Sequence, residues 1–93
     1  MDVEVLHEPS RRRFVARDGE RESQLVYLRL EADVVDFRST YVHPAVRGHG
    51  VGEKLVREAL EWARGEGLKV IPSCWFVDTV VRRHPEYEPL LER

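Results

Sequence analysis

With 93 residues the chain has room for one hydrophobic core and none for a second domain, at the small end of the sizes that fold without staples. A composition of 42% hydrophobic and 34% charged residues describes a soluble globular protein, and a net charge of −2 excludes a broad basic surface for nucleic acid or an anionic membrane. Its single cysteine, Cys74, excludes an internal disulfide and a multi-thiolate zinc site. The opening "MDVEVLHEPS" lacks a signal pattern, and no apolar run nears the roughly 20 residues of a bilayer span, so a cytoplasmic location is expected.

In chain order, "VEVLH", "RRFVAR", "SQLVYLRLE" and "DVVDFRSTYV" read as strands. Alternation is clearest where Leu25, Tyr27 and Arg29 oppose Val26, Leu28 and Leu30. Asp18-Gly19 and the "EAD" at 31–33 supply turns, and connections this short predict an antiparallel meander. After Pro44 the period changes. From Gly50 to Arg64, Val51, Leu55, Val56, Ala59, Leu60, Trp62 and Ala63 gather on one helical face. The other face carries charges, with Glu53–Arg57 and Lys54–Glu58 at i, i+4 spacing, a pattern of solvated surface. Gly65 and Gly67 end the helix, "LKVIPSC" reads as a short buried strand reached by a right-handed parallel crossover, and "WFVDTVVRRH" as a last helix stopped before Pro85. "PEYEPLLER" is a tail for Tyr87, Leu90 and Leu91 to pin to the body.

The informative stretch is "RGHGVG", residues 47–52, at the mouth of the long helix. A helix start leaves N–H groups without intrahelical partners and carries partial positive charge, which suits phosphate. Glycine at 48, 50 and 52 removes Cβ atoms that would hold a pyrophosphate away, and Arg47 offers a charged fork. An ordinary tight turn fits the bare glycine pattern equally well. Spacing excludes two better-known phosphate loops. No Lys-Ser/Thr follows Gly52, so this is not a P-loop, and Leu55 stands where the dinucleotide fingerprint needs its third glycine.

The pattern Arg/Gln-x-x-Gly-x-Gly/Ala is filled by Arg47, Gly50 and Gly52 after the strand "TYVHP". Here the sequence resembles the GNAT superfamily of acyl-CoA-dependent N-acetyltransferases, from "STYVHPAVRGHGVGEKLVREAL" to "VIPSC". The ending "PSCWFV…RRHPEY" extends the likeness, over nearly the whole chain, to a subgroup of single-domain GNAT-like proteins of this length. The resemblance implies an α/β fold of the α+β type: a four-strand antiparallel meander, a helix, a parallel fifth strand and a short C-terminal helix, all within one minimal domain spanning 1–93. It implies that the turn's amides, across Arg47, Gly48, His49, Gly50, Val51 and Gly52, hold the pyrophosphate of acetyl-CoA. The backbone of Tyr41 and Val42 would pair with the pantetheine arm, and Val70 and Ile71 would splay away to admit the thioester. Two departures stand out. "LHEPSRRRF" leaves no room for the helices that form the family's acceptor side, so that side is open or supplied by another chain. The tyrosine that often protonates the leaving thiolate is not matched by Phe76 or by Tyr87.

Cys74 falls where the acetyl group is expected. It is read either as a nucleophile that takes the acetyl group and passes it on, or as a small buried hydrophobe. Ser73 is read as a hydrogen-bonding or cap residue. His43, His49 and His84 show no metal-ligand spacing; His49 either touches phosphate or adenine or faces water, and no base is assigned. The run Arg11-Arg12-Arg13 is read as a solvated edge, or as a reach toward an acidic acceptor. Trp62 and Trp75 read as packing, with Trp75 and Phe76 available to wall the acyl slot. Two functions follow: an acetyl-CoA-binding N-acetyltransferase acting on an unidentified amine, of a small molecule or a protein, or a non-catalytic CoA or acyl-CoA-binding or protein-interaction module. Neither nucleic acid, membrane nor metal is expected as a partner, and a monomer or weak dimer fits the size.

Overall fold

The structure is a computed structural model that describes residues 3–92; Met1, Asp2 and the final Arg93 of the predicted tail lie outside them. Strands β1 (Val5–Glu8), β2 (Arg13–Asp18), β3 (Arg21–Glu31) and β4 (Val34–Tyr41) form the expected meander. Strand β5 (Lys69–Ile71) joins β4 in parallel, giving the order β1-β2-β3-β4-β5. Asp18 pairs with Arg21 around a two-residue loop whose first member, Gly19, has φ 63°, as tight hairpins require. Between β1 and β2 the chain makes only a 3-10 turn (Pro9–Arg11) and then Arg12, at φ 52°.

Helix α1 (Val51–Glu66) provides the crossover from β4 to β5. Gly67, at φ 70°, ends it by donating its N–H to the carbonyls of Ala63 and Arg64. The apolar stripe of α1 and Val77, Val80 and Val81 of α2 (Trp75–Arg83) pack into one cluster with Phe14, Ala16, Leu25, Tyr27, Val35 and Phe37 of the sheet. Alternation places these strand residues on one face. Truncating a fully buried Leu55, Leu60 or Phe37 to alanine in such a cluster costs about 2–5 kcal/mol. The tail is a 3-10 segment (Pro85–Leu90) with Tyr87 and Leu91 buried and Leu90 packed alongside, as the sequence predicts. It finishes against β5, where Val70 bridges Leu91 and the Glu92 N–H donates to the Val70 carbonyl at 2.8 Å.

The opposite face of the sheet has no helix over it among the described residues. Val15 is buried there, and on the same strand Arg13 bonds Glu8 at 2.6 Å and Glu22 at 3.3 Å, while Arg17 bonds the same two carboxylates. Hydrogen bonds from these arginines hold the carboxyls of Glu8 and Glu22 below their ordinary range. Trp62 belongs to an aromatic group on the core face: the His7 ring stacks on Phe14 at 4.2 Å, lies edge-on to Trp62, and bonds the Tyr27 hydroxyl at 2.7 Å. Burial lowers the pKa of His7 from 6.5, against a smaller opposing pull from Glu66. The native state therefore binds the proton less readily than the unfolded chain. The His7 contribution is fully present above pH 6.5 and is lost as pH falls below it toward the depressed native value. Urea midpoints measured across this interval should fall with pH, and the slope should flatten in His7→Phe. An unchanged slope would show that the ring is protonated as easily folded as unfolded.

Candidate active site

After β4 the chain turns through Pro44–Val46, with the His43 ring accepting from the Ala45 N–H and Val46 buried. Arg47 folds back so that its Nε donates to the Val42 carbonyl at 3.0 Å. Gly48 and Gly50 then take φ 84° and 76°, left-handed angles that cost a residue with a side chain about 1–2 kcal/mol. A Cβ at either position would meet nothing within 4 Å, so the space above these two glycines is open. Gly52 differs. A Cβ there would lie 3.0 Å from both Phe76 Cε2 and Val42 Cγ2, so this glycine lets β4, α1 and α2 approach one another. Its missing side chain serves packing, while its N–H, like those of Val51 and Glu53, has no intrahelical acceptor.

These residues border an open hollow of about 350 Å³, whose wall includes Val42, Arg47, Gly50, Phe76 and Arg83. Arg83 comes from the end of α2 and bonds Glu53 at 3.3 Å; His84 lies 3.6 Å from the other oxygen of the same carboxylate. Glu53 is thus tied to α2, and Arg57, expected as its i, i+4 partner, reaches toward Tyr87. The anionic Glu53 side chain is offset by Arg83, which leaves the helix start and Arg47 as the positive features of the hollow. His49 is exposed beside it. A second hollow, of about 360 Å³, shares Gly50 but faces the charged side of α1, including Lys54, Arg57 and Glu61.

Beyond the hollow, the sheet is split. Pairing of β4 with β5 runs through Val34↔Lys69, Val35↔Val70 and Asp36↔Ile71 and then stops, where Pro72 has no N–H to offer. The Cys74 N–H closes the gap once, onto the Phe37 carbonyl at 2.9 Å. From Ser39 to Tyr41, β4 keeps its partner β3 but has no strand on its other side. Tyr41 is about half exposed and Val42 partly buried along this edge. A register shift, with Val26 opposite Ser39 and Tyr27 opposite Phe37, makes Arg38 an extra residue that bends β4 away.

Cys74 is the cap residue of α2, 8% exposed, with its thiol 3.5 Å from the Thr40 hydroxyl. Its sulfur thus lies at the positive end of a helix, where negative charge is favoured. Ser73, one residue earlier, is exposed and does not cap the helix. Trp75 is 76% exposed, and its ring meets Phe76 edge-on at 5.8 Å. Because Phe76 also covers Gly52, the glycine turn, the open edge of β4 and Cys74 form one continuous track. The Tyr87 hydroxyl donates to Glu61 at 2.7 Å. Sequence reading missed Thr40 and Arg83. Thr40 looks like any strand residue, and Arg83 joins the turn only because α2 packs across the start of α1; the adjacent basic residues in "RRH" were the one available signal.

A sequence profile of the GCN5-related N-acetyltransferase family matches residues 13–90. The chain belongs to the GCN5-related N-acetyltransferase family. Protein NATD1 of Gallus gallus is 32% identical over 85 residues, covering 89% of this chain and 77% of that protein. Protein NATD1 of Homo sapiens is likewise 32% identical over 85 residues, with 89% and 75% covered. A GCN5-like protein from Staphylococcus aureus, solved in solution by NMR, superposes with a TM-score of 0.75 at 25% identity, covering 96% of this chain and 87% of its own. The five-stranded mixed sheet is therefore the GCN5-related fold expected from residues 47–52 and their strand–turn–helix setting. No helix among the described residues is long and apolar enough to cross a membrane.

Proposed function

We propose that this family member is an acetyl-CoA-dependent N-acetyltransferase that moves the acetyl group to an amine through Cys74. The observation that carries the reading is the track from the left-handed glycines, along the unpaired edge of β4, to the thiol at the cap of α2. In this reading the pyrophosphate lies against the free amides at the start of α1, with Arg47 and Arg83 beside it and His49 toward the nucleotide. The pantetheine arm pairs with the backbone of Tyr41 and Val42, much as a strand would. The thioester then arrives beside Thr40 and Cys74, with Trp75 and Phe76 along the wall.

The chemistry balances without a further reactant. The Cys74 thiolate attacks the thioester carbon, the carbon–sulfur bond of the donor breaks, and CoA departs with the proton that Cys74 gave up. An amine then attacks acetyl-cysteine, the new carbon–sulfur bond breaks, and the proton shed by the nitrogen returns to Sγ. The Thr40 hydroxyl is within reach to donate to sulfur while it is anionic. The short Pro9–Arg11 connection favours a second reading, a module that holds CoA without transferring acetyl, because nothing there builds an enclosed acceptor pocket. Titration calorimetry with acetyl-CoA and CoA, followed by turnover assays on a panel of amines, tests both. Saturable one-to-one binding with turnover supports the enzyme, and binding without turnover on any amine supports the module. An absence of binding removes both.

A further inference from the structure

We propose that the bare face of the sheet admits the acceptor and selects a small amine bearing an anionic group, phosphate or carboxylate; this rests on the acetyltransferase reading. The extra residue in β4 does more than bend the strand. Val26 and Ser39 oppose each other on the face away from the core, and Arg38 shares that face, lining an open hollow of about 340 Å³ with Arg11, Arg12, Val26 and Leu28. Arg12 is held firmly, its N–H on the Pro9 carbonyl at 3.0 Å and its own carbonyl receiving the Tyr27 N–H at 2.9 Å. The turn between β1 and β2 is thereby fixed level with the bulge.

The three guanidinium groups differ from others on the same face. Arg13 and Arg17 are closed onto Glu8 and Glu22, whereas Arg11 and Arg12 are exposed with no ion pair among the described residues. Arg38 has only a loose contact with Asp36, at 3.6 Å. In a chain of net charge −2, three such cations around an apolar floor form a local anion site and not a reflection of composition. Its position matters as much as its charge. Arg38 follows Phe37, whose carbonyl takes the Cys74 N–H, and precedes by two residues Thr40, whose hydroxyl meets the thiol. Arg38, one wall of the hollow, thus sits on β4 between the two residues that meet Cys74 at the gap in the sheet. An anion held by the arginines leaves an amine, a short chain away, facing that gap, and the volume suits a molecule of amino-acid size.

The test titrates the full chain with phosphoethanolamine, aspartate and ethanolamine, reading amide shifts by NMR, and measures acetylation of the same three amines. Ethanolamine differs from phosphoethanolamine only by the anion. Saturable shifts confined to residues 11–12, 26–28 and 38 are expected with one or both anionic amines and not with ethanolamine, and whichever binds identifies the anion. Arg11→Gln combined with Arg38→Gln should weaken that binding by about tenfold for each guanidinium removed while acetyl-CoA binding stays unchanged. Acetylation should favour the anionic amine at least about tenfold, and the preference should vanish in the variant. Equal response to ethanolamine, shifts elsewhere or none, or unaltered binding by the variant would overturn the proposal. Failure of acetyl-CoA to bind the parent protein would sink the enzymatic reading separately, since the anion titration does not depend on it.

Discussion

Replacing Gly50 with glutamate should abolish acetyl-CoA binding while the sheet and both helices persist. Gly50 is the cap of α1 at φ 76°, and its missing Cβ would meet no atom within 4 Å, so the substitution meets no steric barrier. The left-handed backbone makes it cost about 1–2 kcal/mol, which a packed domain tolerates. Binding suffers far more. A carboxylate at the opening of α1 occupies the place where the helix favours an anion, and it repels a pyrophosphate arriving there. A loss of about a hundredfold or more, near 2.7 kcal/mol, is expected by calorimetry, with circular dichroism unchanged. Gly50→Ala separates the two causes, because it carries the backbone strain without the charge. If Gly50→Glu binds acetyl-CoA as the parent does, the glycine turn is a turn and nothing more.

The second large effect concerns Cys74. In Cys74→Ala, turnover should fall by about a thousandfold or more while acetyl-CoA affinity changes less than about twofold, the signature of a group that acts in the chemical step. Intact-mass measurement after mixing with acetyl-CoA should show one added acetyl group on the parent and none on the variant. Cys74 is nearly buried, so removing its sulfur costs about 1 kcal/mol of stability, too little to explain such a loss. Thr40→Val supplies a graded comparison, removing the hydroxyl 3.5 Å from the thiol and keeping the shape. Equal turnover in Cys74→Ala and the parent would exclude the acetyl-cysteine route and leave direct attack of the amine on the thioester.

The elements whose signals are local were legible in advance. Gly19 and Gly67 mark a hairpin and a helix end through backbone angles that few other residues adopt, and the period change after Pro44 separates meander from helix. The glycine turn could be read because its three glycines and Arg47 are contiguous, yet the sequence treats the glycines alike. Only the fold distinguishes Gly48 and Gly50, whose backbone needs them, from Gly52, whose neighbours do. Thr40, Arg83 and Arg38 were not legible as site residues. Thr40 meets Cys74 across 34 residues of chain, and Arg83 meets Glu53 across 30. Arg38 lies on the bare face by plain alternation with Phe37, whereas Ser39 and Thr40 take their faces only because of a one-residue register shift that alternation cannot foresee.

The closure of the tail onto Val70 also constrains how two copies of this sheet could ever be joined. Leu91 and Glu92 cover the outer margin of β5, so among the described residues β1 is the margin that no further strand pairs with. Joining equivalent margins requires a twofold axis. Any continuous double sheet would therefore run β1 against β1, with the two Cys74 thiols set toward its far ends.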